Sequence, residues 1–300
     1  DQVVGDYLIA NDIDNNSLLL YNLKGLDLGG GLTYKYLSDD SDGDTSDDNE
    51  GDFINPGGLD SNLDILYVNG SSGANYKIRR FFDLDTSSPY DSYITGLHSS
   101  PTAFKVSPFN TTSSTLFVGY DDGVLQKLEN ANTAGDIIST NLADFIGSVS
   151  DIEFGSSEQE IFVTYYNYGV NNVYYTNDGG STWSAKDGDL PDIPVLSILA
   201  NPFEANEVII GTDLGVWMTQ DFSVASPTWV QSNNGMTDVR VNDFQYRGST
   251  VSDNRVVAST YGRGIYVGSF DSNDETAPTV ILSDSDLDNI VFNSQLVTIT

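Results

Sequence analysis

The sequence repeats itself at a near-constant interval. Six short apolar runs, rich in β-branched and aromatic residues, recur along the 300-residue chain. Their first residues are Leu18, Ile65, Leu116, Ile161, Val208 and Val256. The successive steps between these positions are 47, 51, 45, 47 and 48. Such regular spacing is typical of repeat architectures, and it limits the possible folds more than any other feature of the chain.

Most copies of the repeat have the same strand pattern. A first strand precedes the apolar run, a tight turn rich in Asp and Gly follows it, and a third strand and a variable fourth segment complete the unit. Four short antiparallel strands every 40–50 residues predict a β-propeller, whereas a sandwich needs about 100 residues per unit. We therefore expect an all-β propeller of six four-stranded blades over residues 1–270, with a seventh blade before residue 1 left open. The last copy lacks a fourth strand, which we expect residues 2–5 to supply.

Composition excludes several classes of protein. The chain has 44 acidic residues against 12 Lys and Arg, a formal charge of −32. Eight of the 44 are Glu, which leaves 36 Asp, a residue of turns and caps rather than helices. A surface of this charge repels phosphate backbones and anionic lipids, so we expect no nucleic-acid partner and no membrane insertion. The lack of Cys excludes disulfides and thiolate chemistry, and the single histidine, His98, is expected in a surface turn.

One short motif identifies a family resemblance. The pattern Ser/Thr-x-Asp-x-Gly-x-Thr-Trp is matched at Thr176, Asp178, Gly180, Thr182 and Trp183. We expect Asp178 to accept backbone N–H bonds across a turn, Gly180 to adopt a positive φ, and Trp183 to pack between blades. The chain thus resembles the Asp-box (BNR-repeat) propellers of large secreted or surface bacterial proteins. The resemblance implies that these five residues are structural and lie away from any active site.

Ligands of propellers usually bind where the connections between second and third strands gather. Such connections are expected at residues 22–24, 69–72, 121–123, 167–172, 213–215 and 261–263. From them and the adjoining tyrosines we select six candidate ligand-binding residues: Tyr166, Asn167, Tyr168, Asp213, Tyr261 and Arg263.

Two connections also contain candidate catalytic carboxylates, Asp121 and Asp213. The resemblance extends to xyloglucan-degrading glycoside hydrolases, in which a catalytic Asp occupies the place of Asp213, so general acid–base hydrolysis is an alternative function. An Asp in a tight turn is equally expected for structural reasons. A sialidase site is disfavoured, because Arg263 is the one arginine in these connections and none of them contains Glu.

An acidic insert at residues 38–52 lies between the first and second apolar runs of the repeat. More than half of its residues are acidic, and alternate carboxylates at Asp40, Asp42 and Asp44, with Asp48 nearby, suit the oxygen ligands that Ca²⁺ prefers. Ca²⁺ is therefore the one candidate cofactor. The alternative is a solvated, like-charged loop without metal.

The chain after the repeats has a different character. Residues 271–278 have the composition of a linker, and residues 279–300 resemble the opening of a bacterial Ig-like repeat. Because the chain starts without Met and stops within an apolar run, we expect a piece of a longer, processed protein with further domains. We predict an extracellular or cell-surface bacterial module that is non-catalytic and binds glycan or a surface protein in adhesion. A structural scaffold without a ligand is the remaining alternative.

Overall fold

All regular structure in the described part of the chain is β-strand. The computed structural model describes residues 50–52, 55–84, 90–232, 236, 238–248 and 254–270 in full, and the backbone of strands at 2–4, 7–12, 17–22, 33–36, 280–283 and 295–299. None of these residues belongs to an apolar helix long enough to cross a membrane. Consecutive strands pair into sheets of blade type, and the fold is the all-β propeller that the repeat predicts. The chain divides into two compact units, Asp1–Asp144 (unit 1) and Phe145–Thr300 (unit 2).

Unit 1 contains three four-stranded sheets. The first consists of β1 (Gln2–Val4), β2 (Tyr7–Asp12), β3 (Ser17–Asn22) and β4 (Thr33–Tyr36). The second consists of β5 (Gly57–Asp60), β6 (Ile65–Asn69), β7 (Lys77–Phe82) and β8 (Tyr90–Thr95). The third consists of β9 (Pro101–Val106), β10 (Thr115–Tyr120), β11 (Val124–Glu129) and β12 (Ile138–Asp144).

Unit 2 contains the other three sheets. The first consists of β13 (Val149–Phe154), β14 (Ile161–Tyr165), β15 (Val173–Thr176) and β16 (Ser184–Ala185). The second consists of β17 (Val195–Ala200), β18 (Val208–Thr212), β19 (Gly215–Thr219) and β20 (Val230–Gln231). The third consists of β21 (Val241–Arg247), β22 (Arg255–Thr260) and β23 (Gly264–Gly268), followed by β24 (Val280–Ser283) and β25 (Gln295–Ile299).

The blade count differs from the prediction. Where side chains are described, the structure has five blades of three or four strands, β5–β8, β9–β12, β13–β16, β17–β20 and β21–β23, rather than six or seven. Strands β1–β4 form a further sheet that is described only in its backbone. The prediction that residues 2–5 complete the last blade is wrong, because β1 pairs with β2, with Gln2 opposite Ile9. The two strands are neighbours in sequence, so this pairing closes a far shorter loop than a ring closure would.

The Ig-like opening predicted after residue 278 is not seen in the strands described there. Strands β24 and β25 pair antiparallel with each other, and β25 continues the last sheet in parallel with β23. The register sets Tyr266 opposite Gln295 and Val267 opposite Leu296. The predicted linker, residues 271–278, lies outside the described residues. An Ig-like domain therefore stays a prediction.

The repeated apolar runs form the second strands of the five fully described blades. Strands β6, β10, β14 and β18 are buried at every position, whereas the first and third strands contain half-buried positions as well. The reason is that the clusters of core residues span neighbouring sheets. In unit 1, Tyr67 of β6 and Phe104 of β9 share one cluster, and in unit 2, Val173 of β15 and Ile198 of β17 share another. A middle strand is thus covered on both faces, which explains its continuous apolar sequence.

One backbone hydrogen bond recurs in all five of these blades. The residue at which the chain leaves the second strand donates its N–H to the carbonyl of the residue just before the first strand. The pairs, donor first, are Asn69 and Pro56 (3.3 Å), Asp121 and Ser100 (3.0 Å), Tyr166 and Ser148 (2.9 Å), Asp213 and Pro194 (3.4 Å), and Tyr261 and Arg240 (2.9 Å). Each connection between second and third strands is therefore held beside the segment that leads into its own blade.

A β-bulge accompanies this hydrogen bond in four of the blades. The strand pairing skips the second residue of the first strand, so that two residues there face one on the second strand. The skipped residues are Thr102, Ser150, Leu196 and Asn242. The extra residue increases the local twist at the same end of each sheet.

Within unit 2, a buried lysine joins the sheet β13–β16 to the sheet β17–β20. Lys186 follows β16, and its Nζ donates to the carbonyls of Phe222 (3.0 Å) and Val224 (2.7 Å), which belong to the insertion between β19 and β20. Burial lowers the pKa of Lys186, and nearby Asp221 opposes that effect. In return, the buried Trp229 donates its Nε1–H to the Lys186 carbonyl at 2.9 Å. The two sheets therefore exchange hydrogen bonds across their shared apolar core.

Gly188 lies at the closest approach between these two sheets. Its φ is 54°, in the left-handed region, and a Cβ built on it would stand 1.7 Å from the carbonyl oxygen of Pro227. Only glycine satisfies both conditions, because any side chain would collide with backbone that cannot rotate away. Gly262 offers a contrast in the same unit: its φ is 78°, and a Cβ there would meet no atom within 4 Å.

We expect Gly188→Ala to lower the free energy of unfolding of unit 2 by about 2–5 kcal/mol, from backbone strain and collision together. Gly262→Ala, with strain alone, should lower it by about 1–2 kcal/mol. Urea unfolding followed by tryptophan fluorescence measures this, since Trp183, Trp217 and Trp229, the three tryptophans of the chain, all lie in unit 2. Equal losses in the two variants would show that the approach to Pro227 is not as tight as described.

Candidate functional site

Three strand connections in unit 2 meet around one arginine that the sequence analysis did not select. Arg240 precedes β21, and its carbonyl accepts the N–H of Tyr261, the first residue of the β22–β23 connection, at 2.9 Å. The adjacent carbonyl of Val239 accepts the N–H of Gly215, at the end of the β18–β19 connection, at 3.0 Å. The backbone around Arg240 is therefore bound to two neighbouring blades at once.

The side chain of Arg240 reaches the third connection. Its guanidinium carbon lies 4.8 Å from the ring centroid of Tyr166, which begins the β14–β15 connection. Its Nε lies 3.5 Å from Oδ1 of Asp213. A cation over an aromatic face and beside a carboxylate is held by both contacts. Arg240 thus brings together Tyr166 and Asp213, two of the predicted ligand-binding residues.

Two further predicted residues have exposed aromatic rings: Tyr168, next to Asp213, and Tyr261, whose backbone is bonded to Arg240. Tyr168 is 65% exposed and Tyr261 is 70% exposed. Partial desolvation raises the pKa of Tyr168, and the neighbouring Asp213 carboxylate raises it further, so its phenol stays neutral at physiological pH. We call Tyr166, Tyr168, Asp213, Arg240 and Tyr261 the tyrosine surface. It combines exposed rings, a carboxylate and a guanidinium.

The β14–β15 connection, which holds Tyr166 and Tyr168, is itself braced by an acidic segment, residues 187–194. Asp192 accepts the N–H of Gly169 at 2.6 Å, and Asp187 accepts the N–H of Asn172 at 2.6 Å. Burial raises the pKa of Asp187, although that bond opposes the effect. The sequence analysis did not assign these roles, because an Asp that accepts a distant N–H looks in sequence like any turn Asp.

Asn167 and Arg263, the other predicted ligand-binding residues, differ from the tyrosine surface. The side-chain oxygen of Asn167 accepts the N–H of Ser148 at 2.6 Å, so this residue stabilises the loop. Arg263 is exposed beside Tyr261, and no contact described for it reaches Asp213 or Arg240. Their roles in binding stay predictions.

The candidate catalytic residue Asp121 lies in unit 1, and its carboxylate is hydrogen-bonded to the segment that leads into β9. One of its carboxylate oxygens accepts hydrogen bonds from the Ser99 hydroxyl and from the N–H of Ser100, the latter at 3.2 Å. Nearby, Nε2 of His98 lies 3.4 Å from Asp122, and its ring packs 4.3 Å from that of Tyr120. These contacts fit the turn roles that we expected for Asp121 and His98.

The turn at residues 176–183 has the predicted hydrogen bonds. Asp178 accepts the N–H of Thr182 at 2.9 Å and its hydroxyl at 2.7 Å, and the Thr176 hydroxyl donates to Asp178 at 2.7 Å. These bonds lower the pKa of Asp178 to about 2. Gly180 has a φ of 92°, as predicted.

The packing of Trp183 between blades stays a prediction. Its ring lies 6.0 Å from that of Phe145, which precedes the first strand of the same sheet. In the described contacts, the tryptophan that joins two sheets is Trp229, because its ring belongs to the core cluster shared by β14–β15 and β17–β18. Membership of the Asp-box family stays a prediction.

The predicted metal ligands Asp40, Asp42, Asp44 and Asp48 lie outside the described residues. The end of the acidic insert, at residues 50–52, is described and bound to unit 1. Glu50 pairs with Lys77 and accepts the hydroxyl of Tyr93 at 3.0 Å, and Asp52 accepts the side-chain amide of Asn69 at 2.9 Å. Glu50 is thus neutralised by Lys77, whereas Asp52 is exposed and bound by a neutral amide.

The fold is shared with solved structures of other proteins, among them an enzyme and a chain of a large complex. The GH74 enzyme of Niastella koreensis gives a TM-score of 0.53 at 17% sequence identity, over 88% of this chain and 44% of that chain. A chain of the mitotic checkpoint complex gives a TM-score of 0.56 at 10% identity, over 90% of this chain and 76% of that chain. The similarity at these identities concerns the fold alone, and this chain spans less than half of the GH74 enzyme chain. No protein-family model and no curated protein matches the chain.

We expect the Asp178 carboxylate to titrate near pH 2 in carbon-detected NMR. Because this pKa lies below the unfolded value of about 3.9, the carboxylate stabilises the fold above about pH 4, and that contribution disappears as the pH falls towards 2. Asp178→Asn should therefore unfold at lower urea than the unmodified protein at pH 7, and the difference should vanish near pH 2. A difference that does not depend on pH would contradict the assignment.

Proposed function

We propose that this propeller is a non-catalytic module that binds glycan at the tyrosine surface. The observation that supports this most is the exposure of Tyr168 and Tyr261 beside a carboxylate and a guanidinium. Aromatic rings stack on the apolar faces of sugars, and polar groups around them hydrogen-bond to the hydroxyls. Large exposed rings that are gathered by structured loops, rather than scattered, indicate a binding surface.

Binding is favoured over hydrolysis because, among the described contacts, the two candidate carboxylates have different partners and do not form a pair with each other. A glycoside hydrolase needs two carboxylates across a cleft, one of them protonated as general acid. Asp121 accepts hydrogen bonds from Ser99 and Ser100, before β9, and Asp213 lies beside the Arg240 cation. We propose that the protein acts outside the cell or on its surface, on the strength of its high Asp content. The similarity to the GH74 enzyme supports the fold and not an activity.

A glycan array, probed with and without Ca²⁺, tests the proposal. We expect the unmodified protein to bind at least one glycan, and Tyr168→Ala and Tyr261→Ala to bind it about tenfold more weakly, the loss expected for one stacking contact of about 1.4 kcal/mol. Tyr90→Ala is the matched control, since Tyr90 is 56% exposed in unit 1 and lies outside the tyrosine surface. It should bind like the unmodified protein.

Three results would count against the proposal. An array without any binding would leave a scaffold or a protein partner as the function. Binding that is lost equally in Tyr90→Ala would place the site elsewhere. Release of reducing ends from a bound glycan, lost in Asp213→Asn, would establish the hydrolase instead.

A further inference from the structure

Asp213 and Arg240 have hydrogen-bonding capacity left at the centre of the tyrosine surface, beyond the bond that the Asp213 carboxylate accepts from the Tyr168 hydroxyl. Arginine has five N–H donors, and the Nε of Arg240, though buried, has no hydrogen-bond partner. Its one described polar contact is the 3.5 Å approach to Asp213, which is longer than a normal hydrogen bond. In the described part of the chain, no side chain satisfies the two terminal nitrogens of Arg240. The pair therefore offers both donors and acceptors to a ligand.

The positions of both side chains are set in advance. The backbone of Arg240 is bound on both sides, through the carbonyls of Val239 and Arg240 itself, and its guanidinium lies over the Tyr166 ring. The turn of Asp213 is closed by the N–H of Leu214, which donates to the Thr212 hydroxyl at 3.0 Å. Groups that are ordered before binding lose little conformational entropy when a ligand arrives.

The charges around the pair point to the class of ligand. The guanidinium of Arg240 is balanced by the Asp213 carboxylate, and a second carboxylate, Asp192, acts on the same tyrosine, Tyr168. Around Tyr168 there are thus two carboxylates, Asp213 and Asp192, to the one guanidinium of Arg240, while Arg263 is exposed beside Tyr261 at the other end of the surface. The whole chain has a formal charge of −32. An anionic sugar would be repelled at close range and at a distance, whereas a hydroxyl both donates and accepts.

We infer that Asp213 and Arg240 determine specificity by binding adjacent hydroxyls of a neutral sugar ring, and that they reject uronates and sulfated sugars. This inference rests on the proposed glycan binding and adds the class of glycan to it. Asp213 accepts from the hydroxyls, Arg240 donates to them, and the rings of Tyr168 and Tyr261 cover the apolar side of the sugar. Because the acceptor is a full carboxylate, exclusion of anions is built into the site.

Calorimetry with matched ligands tests the inference. The probes are linear hexamers of glucose, galactose and mannose, and the corresponding hexamers of glucuronate, galacturonate and mannuronate. We expect the unmodified protein to bind at least one neutral hexamer ten times or more tightly than its uronate. Asp213→Asn should reduce that ratio at least threefold by strengthening uronate binding, and Arg240→Met should weaken the neutral hexamer about tenfold.

Glu204→Gln is the matched control for charge. Glu204 is exposed in unit 2 away from the tyrosine surface, and its replacement removes the same single negative charge as Asp213→Asn. Its ratio of neutral to uronate binding should equal that of the unmodified protein. Tryptophan fluorescence in urea verifies that each variant is folded.

The outcomes separate this inference from the proposed function. Four results would overturn the inference while glycan binding stands. The first three are tighter binding of a uronate than of its neutral hexamer, binding to acidic array glycans alone, and failure to bind any neutral hexamer. The fourth is a ratio of neutral to uronate binding that changes as much in Glu204→Gln as in Asp213→Asn. If the protein binds no glycan on the array and none of the hexamers, the proposed function is overturned, and the inference with it.

Discussion

The architecture depends on one backbone hydrogen bond that is made five times. In each fully described blade, the N–H at the end of the second strand is bonded to the carbonyl before the first strand, at 2.9–3.4 Å. This bond closes the open end of the blade's first hairpin and holds the connection to the third strand in one place. Because this hydrogen bond uses only backbone atoms, the side chains of the connection can differ from one blade to the next. The same frame can therefore present Asp121 in one blade and Tyr166 in another.

In unit 2 the strand connections that this hydrogen bond holds form one surface rather than separate turns. The carbonyl that accepts in the last blade belongs to Arg240, whose side chain turns to Tyr166 and Asp213 in the neighbouring blades. Acidic residues behind the surface serve as acceptors for backbone N–H groups, as Asp187 and Asp192 do in the β14–β15 connection. Much of the Asp content of this chain thus has a structural use that its net charge conceals.

The strands of the repeat could be predicted because each depends on the residue types at nearby positions in the sequence. Continuous apolar runs mark strands covered on both faces, and Asp-Gly turns mark the hairpins, so β10, β14, β18 and β22 begin at or next to their predicted starts. The pairing of β1 with β2 and of β25 with β23 could not be predicted in this way, since any edge strand offers the same unpaired groups.

By itself the sequence determined the all-β class, the period of the blades, the hydrogen-bonded turn around Asp178 and the tyrosines that end up exposed on one surface. These follow from residue types within a few positions of one another. Only the tertiary structure decided that Arg240 joins Tyr166 to Asp213, that Lys186 and Trp229 connect two sheets, and that Gly188 cannot carry a side chain. Each of these contacts joins residues that are far apart in the sequence or depends on the close approach of two sheets. Such distances are set by packing, and no local pattern in the chain encodes them.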